Sequence, residues 1–212
     1  MGTTHFISRE KALEIEGNMP KYTAGVWRLC LETGLRVSDA INVKYADFDE
    51  KGRLHYTAKK TKKRGIAQVS AYFLQKYAIK SNFSGKYIFS SPVKPNKHVT
   101  RQTVFNHIKA ACKKCRIDST GISPHSARKY FAVETFNEKG LGATMNALQH
   151  GDVATTLMYA LSDNALSELR KRLRALERKV DRFISVMEMC CDRLFGDDLL
   201  VPTDKGKEYK SD

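Results

Sequence analysis

Apolar residues recur at helical spacing through most of the chain. The segment KYTAGVWRLCLETG has an apolar face that ends near Gly34, which predicts a buried helix over residues 21–34. Residues 7–17 predict a preceding helix with Ser8 as its N-cap. The same pattern predicts a helix over 70–84, one over 101–115 capped by Thr100, and a short one capped by Ser38. It predicts two more helices between Ser123–Pro124 and His150–Gly151. The chain is therefore predicted to be mainly α-helical.

Two short runs break this pattern and favour β-strands. Leu54–Ala58 and Ile66–Ser70 flank a turn in which five of six positions are basic (59, 60, 62, 63 and 64). Tyr87–Phe89 predicts a third, brief strand. Like charges at a hairpin tip repel one another, so such a turn is better explained by contact with a nucleic-acid groove than by solvation alone.

Beyond residue 162 the apolar spacing alternates between three and four, which is typical of a coiled coil. We therefore predict three regions: a globular domain over 1–163, a helical coiled-coil tail over 164–195 and a flexible C-terminus over 196–212. A long helix packed on its own domain is the alternative. The predicted seam consists of Leu166, Leu169, Leu173, Leu176, Val180, Phe183, Met187, Cys190 and Leu194.

The charge distribution points to nucleic acid as a partner. The net charge is +14, and residues 51–130 hold 19 Lys and Arg against one acid, Asp118. Neutralising phosphates with such a segment releases counterions, whereas a merely solubilising surface would mix both signs. Candidate DNA contacts are Lys59, Lys62, Lys63, Arg64, Arg101 and Lys109.

Several classes of protein are disfavoured. The chain has five cysteines and no recognisable signal peptide, so we expect a cytoplasmic protein. CKKC at 112–115 is interpreted as two helix-borne thiols, with zinc as a weaker alternative because no second Cys/His pair follows at suitable distance. No apolar run approaches the ~20 residues that span a bilayer, so no membrane association is expected. No phosphate-binding loop or paired-carboxylate metal site is evident, and no cofactor is expected.

An ordered set of residues has the types needed to cut a phosphodiester with a tyrosine nucleophile. TGLRVSD carries Arg36, PHSAR carries His125 and Arg128, and HGDVATTLMY carries His150 and Tyr159. His125 and Arg128 are three residues apart and so share one helix face, where they would form a phosphate clamp. An ordinary surface arginine, a partly buried histidine and a core tyrosine are the alternative readings of the single residues.

These motifs, together with the KKTKK hairpin, resemble the catalytic domain of tyrosine recombinases, the phage-integrase family, over roughly residues 5–165. The resemblance implies a mainly helical domain with a small antiparallel three-stranded sheet. It implies catalytic roles for Arg36, Lys60, His125, Arg128, His150 and Tyr159, with Lys59 as a rival for the hairpin lysine.

The sequence also departs from the family pattern. Ala127 and Lys129 differ from the usual His-x-Leu-Arg-His, and Gln149 replaces the glycine of Leu-Gly-His. The motifs begin by residue 34, so we expect the family's N-terminal DNA-clamping domain to be missing from this chain, which is then either a minimal recombinase or a fragment.

The resemblance thus implies a site-specific recombinase of a prokaryote or virus, acting on double-stranded DNA as a homo-oligomer, in a tetrameric synapse. We expect the C-terminal helix to drive that assembly. Two alternatives remain: a DNA-binding or bridging factor without strand exchange, and a relaxing enzyme that resembles type IB topoisomerases.

Overall fold

The protein is represented by a computed structural model that describes residues 4–78, 86–149 and 163–195. It begins with two helices, α1 (Arg9–Gly17) and α2 (Lys21–Thr33). The Ser8 hydroxyl accepts a hydrogen bond from the Lys11 backbone N–H, which confirms Ser8 as the predicted cap. Helix α2 ends at Gly34, whose left-handed backbone (φ 65°) follows from its lack of a Cβ.

A short helix, α3 (Val37–Ala40), follows directly and places Arg36 at its N-cap. The predicted Ser38 cap is wrong, because Ser38 lies inside the first turn. The N-cap lies two residues earlier, at Arg36, because Leu35 and Val37 are both drawn into the core, where they are 3% and 6% exposed. Arg36 is thereby fixed at a junction between two packed residues.

The basic segment forms an antiparallel hairpin of β1 (Arg53–Thr57) and β2 (Arg64–Gln68), with Thr57 opposite Arg64 next to the turn. This confirms the predicted hairpin, with strands that start one or two residues earlier than expected. The predicted third strand at 87–89 is not found in the described part of the chain. Tyr87 instead makes a single bridge to Lys44, because its backbone pairs with the loop after α3 and not with the hairpin.

A short helix with a π-helical turn and then a longer helix follow the hairpin. Helix α4 (Ala71–Phe73) continues as a π-helical turn, Leu74–Ala78, and the rest of the predicted 70–84 helix lies outside the described residues. Helix α5 (Arg101–Lys114) is capped by Thr100, as predicted, and its inner face is completely buried. Cys112 lies on that face, while Cys115 ends the helix. Among the described residues no cluster of side chains could hold a metal ion.

Helix α6 (Pro124–Leu148) is interrupted at Gly140, where the backbone adopts φ 77° and ψ −176°. Only glycine is tolerated in that region of backbone space. An unbroken helix rises about 1.5 Å per residue, so residues 20 apart would be separated by about 30 Å. The Arg128 guanidinium nevertheless lies 2.8 Å from the Leu148 carbonyl, so the chain must fold back at Gly140. This reversal gives α6 two arms, residues 124–139 and 141–148.

The core of this compact unit (Met1–Leu166) is built around α2. Trp27 is 1% exposed and donates its indole N–H to the Ala12 carbonyl, which fixes α1 on α2. Cys30 is fully buried on the same helix, and burial raises the pKa of its thiol to about 12. The residues that follow α2 are therefore attached to a helix that is tightly packed in the core.

The second unit (Ser167–Asp212) holds most of helix α7 (Asp163–Phe195). Its side chains are described from 173 to 190, and all of them are exposed. They include large apolar groups such as Leu176 and Phe183, which are 62% and 66% exposed. None of the helices in the described segments has the length and apolarity to cross a membrane.

Replacing Gly140 tests the reversal of α6. Gly140→Ala adds a methyl group that meets no atom within 4 Å, so any cost comes from the backbone conformation alone. We expect a loss of about 1–3 kcal/mol in the free energy of unfolding, measured by urea denaturation. Gly142→Ala is the matched control, since its Cβ also meets open space. It should be neutral or stabilising by up to about 1 kcal/mol. Equal stabilities for the two variants would contradict the assigned backbone.

Candidate active site

Arg128 is buried beneath the candidate site and binds two backbone carbonyls there. It projects from the start of α6, is 4% exposed, and donates from Nη1 to the Gly34 carbonyl and from Nη2 to the Leu148 carbonyl. These carbonyls end α2 and the second arm of α6, where helix dipoles concentrate negative charge. A cation is therefore favourable there, and one guanidinium ties together two helix ends.

Gly34 admits this contact because it has no side chain. A Cβ there would collide with the Phe131 ring and crowd Leu148. The chain then runs through buried Leu35 to Arg36, which is half-buried. Only Leu35 therefore separates Arg36 from the residue whose carbonyl Arg128 binds, which brings the two arginines of the predicted set into one region.

His125 lies at the start of α6 with its side chain exposed. Partial desolvation by surrounding atoms lowers its pKa, and the positive charges of Arg128, Arg101 and Arg36 lower that pKa further. These three arginines come from α6, from α5 and from the turn before α3. Three cations from separate elements thus act on one imidazole, while the catalytic roles of His125, Arg36 and Arg128 stay predictions.

The hairpin turn carries the two candidate lysines, Lys59 and Lys60, and both are exposed. The Lys59 backbone N–H donates to Oδ1 of buried Asp39 at 3.1 Å. The turn closes through Ala58 and Lys63, and Lys62 adopts a left-handed backbone with φ 57°. The side chains of Lys59 and Lys60 therefore extend from a turn whose backbone is fixed at its base.

Gln149 fixes the other side of the hairpin. It follows the last residue of α6, and its Oε1 accepts from the Thr61 hydroxyl at 3.2 Å. Its Nε2 donates to the Tyr56 hydroxyl at 3.3 Å and lies 3.5 Å from the Arg64 carbonyl. Burial raises the pKa of Tyr56, so this hydroxyl remains protonated. Sequence reasoning missed Asp39, Tyr56 and Gln149 because their partners are 20, 93 and 88 residues away.

A cleft of about 680 Å³ lies between α3, the hairpin turn and the first residues of α5 and α6. Lys59, Arg101 and His125 line it, and the N-terminal ends of α5 and α6 border it. Helix N-termini and cations both favour an anion, so the cleft is suited to a phosphate group.

The other predicted basic residues occupy two kinds of position. Lys62, Lys63 and Arg64 are exposed on the hairpin, and Arg101 is exposed at the start of α5. Lys109 differs, since its ammonium group donates to the Ser119 carbonyl and lies over the Phe105 ring. His150 and Tyr159 lie outside the described residues, so their roles stay predictions.

Comparison with known proteins gives concordant results. The Phage integrase family matches residues 8–165. A probable integrase/recombinase of Acholeplasma phage L2 is 33% identical over 153 residues, which cover 68% of this chain and 51% of that protein. The chain thus spans about half the length of the curated relatives it matches.

Solved structures share the fold. The XerA recombinase superposes with a TM-score of 0.66 at 21% identity, covering 81% of this chain and 66% of that one. A lambda integrase dimer bound to a COC′ core site gives 0.64 at 18% identity, covering 76% and 60%. The fold is therefore that of the tyrosine recombinases, mainly helical with a small antiparallel sheet. With its motifs, its fold and the match over residues 8–165 in agreement, the chain belongs to the phage integrase family.

Proposed function

We propose that this protein is a site-specific DNA recombinase that cleaves and rejoins strands through a 3′-phosphotyrosine intermediate. The observation that carries the proposal is the cleft that Lys59, Arg101 and His125 line, with Arg36 at the adjoining N-cap of α3 and Arg128 three residues after His125 on α6. A surface that binds DNA only along its backbone has no need to gather these charges around one exposed imidazole.

The arginines bind and polarise the scissile phosphate. Arg36, half-buried at the N-cap of α3, offers its guanidinium fork to the non-bridging oxygens. Arg128 supplies a positive charge from the buried side of the site, because its hydrogen bonds to the Gly34 and Leu148 carbonyls hold its guanidinium group in place. Preorganised charges of this kind stabilise the five-coordinate transition state more than the ground state.

Proton transfers complete the reaction. The Tyr159 oxygen attacks phosphorus and gives up its proton to His125, while the bond from phosphorus to the 5′ oxygen breaks. Lys60, or its neighbour Lys59, protonates the departing 5′ oxygen, and His150 donates to a non-bridging oxygen. The phosphotyrosine ester keeps the energy of the broken bond, so that a second 5′ hydroxyl can reverse the step and join a new strand.

Double-stranded DNA is the partner, and the exposed residues Lys62, Lys63, Arg64 and Arg101 bind its backbone. The DNA-bound lambda integrase, which shares this fold, supports that assignment.

Self-association through α7 is the second part of the proposal. Its apolar seam is 49–66% exposed at Leu173, Leu176, Val180, Phe183 and Met187, which repeat at three- and four-residue steps. An unpaired seam of this length is costly in water, and a second copy of the same helix would cover it. The tail would thereby bring protomers together for a synapse of four.

A suicide substrate tests the nucleophile. Duplexes with a nick next to the cleaved bond, drawn from DNA flanking the gene, should yield a covalent protein–DNA adduct on a denaturing gel. Tyr159→Phe should abolish it, because phenylalanine has no oxygen to attack phosphorus. Tyr72→Phe, at an exposed tyrosine, is the matched control and should form adduct normally. An adduct that persists in Tyr159→Phe would overturn the assignment.

The lowered pKa of His125 sets the pH dependence of cleavage. A base works when neutral, so a pKa below the usual 6.5 keeps His125 active to lower pH. We expect the acid limb of kcat/KM below pH 6.5, together with a matching titration of the His125 ring by NMR. Arg101→Gln removes one positive charge and should move both midpoints upward. Lys113→Gln, an exposed change on the same helix, should move neither. Unshifted midpoints in Arg101→Gln would contradict the charge assignment.

A charge introduced into the apolar face of α7 tests the seam. Leu176→Asp places a carboxylate in the proposed interface and should shift the protein to lower mass in sedimentation equilibrium. Arg178→Asp lies two residues further on, off the seam, and should leave the mass unchanged. Both variants should still form the covalent adduct. Equal masses for wild type and Leu176→Asp would rule out assembly through this helix.

A further inference from the structure

Gln149 has a backbone conformation that a residue with a side chain rarely adopts. Its φ of 53° and ψ of 37° are left-handed, and they end the second arm of α6. A glycine would adopt this conformation without strain, and glycine is the usual helix-ending residue there. The contacts of the glutamine side chain offer a reason for a residue other than glycine at this position.

That side chain is held by the hairpin at three points. Thr61 donates to its Oε1, the Tyr56 hydroxyl accepts from its Nε2, and the Arg64 carbonyl lies at the edge of hydrogen-bonding distance. A carbonyl only accepts hydrogen bonds, so the NH₂ group must face Arg64 and Tyr56. The amide thus has one orientation and spans both sides of the turn.

The hairpin is shaped to receive this amide. Gly65 lies beside it on β2, where an added Cβ would come within 2.7 Å of the Tyr56 hydroxyl and 2.8 Å of the Gln149 Nε2. A larger residue at 65 would displace the very groups that make the contact. The contact therefore depends on both the space left by Gly65 and the left-handed backbone at Gln149.

The Asp39 carboxylate holds the opposite side of the turn through the Lys59 N–H. Lys60 consequently lies between two held residues of the turn, Lys59 on Asp39 and Thr61 on Gln149. Gln149 is also the residue immediately before His150 in the chain.

We propose that Gln149 is a positioning residue, which holds the lysine hairpin against the end of α6 so that the general acid is in place before DNA binds. This role rests on the proposed recombinase function. It links the placement of the general acid to the C-terminal end of α6.

The test separates positioning from stability by using Gln149→Gly. Glycine relieves the left-handed strain, so the melting temperature should stay the same or rise. The hairpin loses its hydrogen bonds, so hydrogen exchange of the amides of 58–63 should accelerate. Single-turnover cleavage of the suicide substrate at saturating DNA should slow by about 5–30-fold, the loss expected for one or two hydrogen bonds. The Kd for DNA should stay within about twofold, because no charge changes.

Thr61→Val removes one partner of the amide, and Thr57→Val makes the same chemical change at an exposed position of the same hairpin. Thr61→Val should slow cleavage, and Thr57→Val should not. If Gln149 acts through Thr61, the double variant Thr61→Val/Gln149→Gly should be no slower than Gln149→Gly alone.

The outcomes are distinguishable. Wild-type cleavage rates and unchanged exchange in Gln149→Gly would overturn the positioning role while leaving the recombinase function intact. A lower melting temperature with slow cleavage would show that Gln149 is merely structural. No adduct from the wild-type protein on any fragment would overturn the proposed function and the positioning role together.

Discussion

A single buried guanidinium holds this domain in the shape that the site requires. Arg128 binds the carbonyl ends of α2 and of the second arm of α6, which lie 94 and 20 residues away in the chain. Each carbonyl belongs to a helix C-terminus, where an unsatisfied buried acceptor would be costly. Because these ends lead to Arg36 and to Gln149, the position of each depends on the Arg128 contact.

The contact depends in turn on the break in α6 at Gly140. Without the reversal, the residues that follow Leu148 would be carried about 30 Å from Arg128. The second arm therefore brings the end of α6 back next to its beginning, and both ends of α6 contribute to one site. His125 opens the first arm, and Gln149 closes the second.

Local chemistry explains how much of this could be predicted. Ser8, Thr100 and Ser123 cap their helices as the sequence indicates, and Gly34 ends α2, because caps involve residues two to four apart. Ser38 failed as a cap because burial of Leu35 and Val37 overrode local preference. The expected third strand was inferred from the short run at 87–89, whose pairing is decided by distant Lys44. The site motifs gave the residue types, but the contacts of Arg128 and Gln149 cross the fold and have no local signature.

The four cysteines whose side chains the structure describes differ in their accessibility to reagents, and Cys115, at the end of α5, is half-buried. Cys30 and Cys112 are buried in the core, and burial raises the pKa of both thiols. Cys190, by contrast, is exposed on α7. Since alkylating reagents attack thiolates that they can reach, a maleimide dye should spare the catalytic domain's interior and attach to the tail. Because Cys190 belongs to the apolar seam, a second α7 that covered the seam would slow this labelling, so the labelling rate would report association without any engineered cysteine.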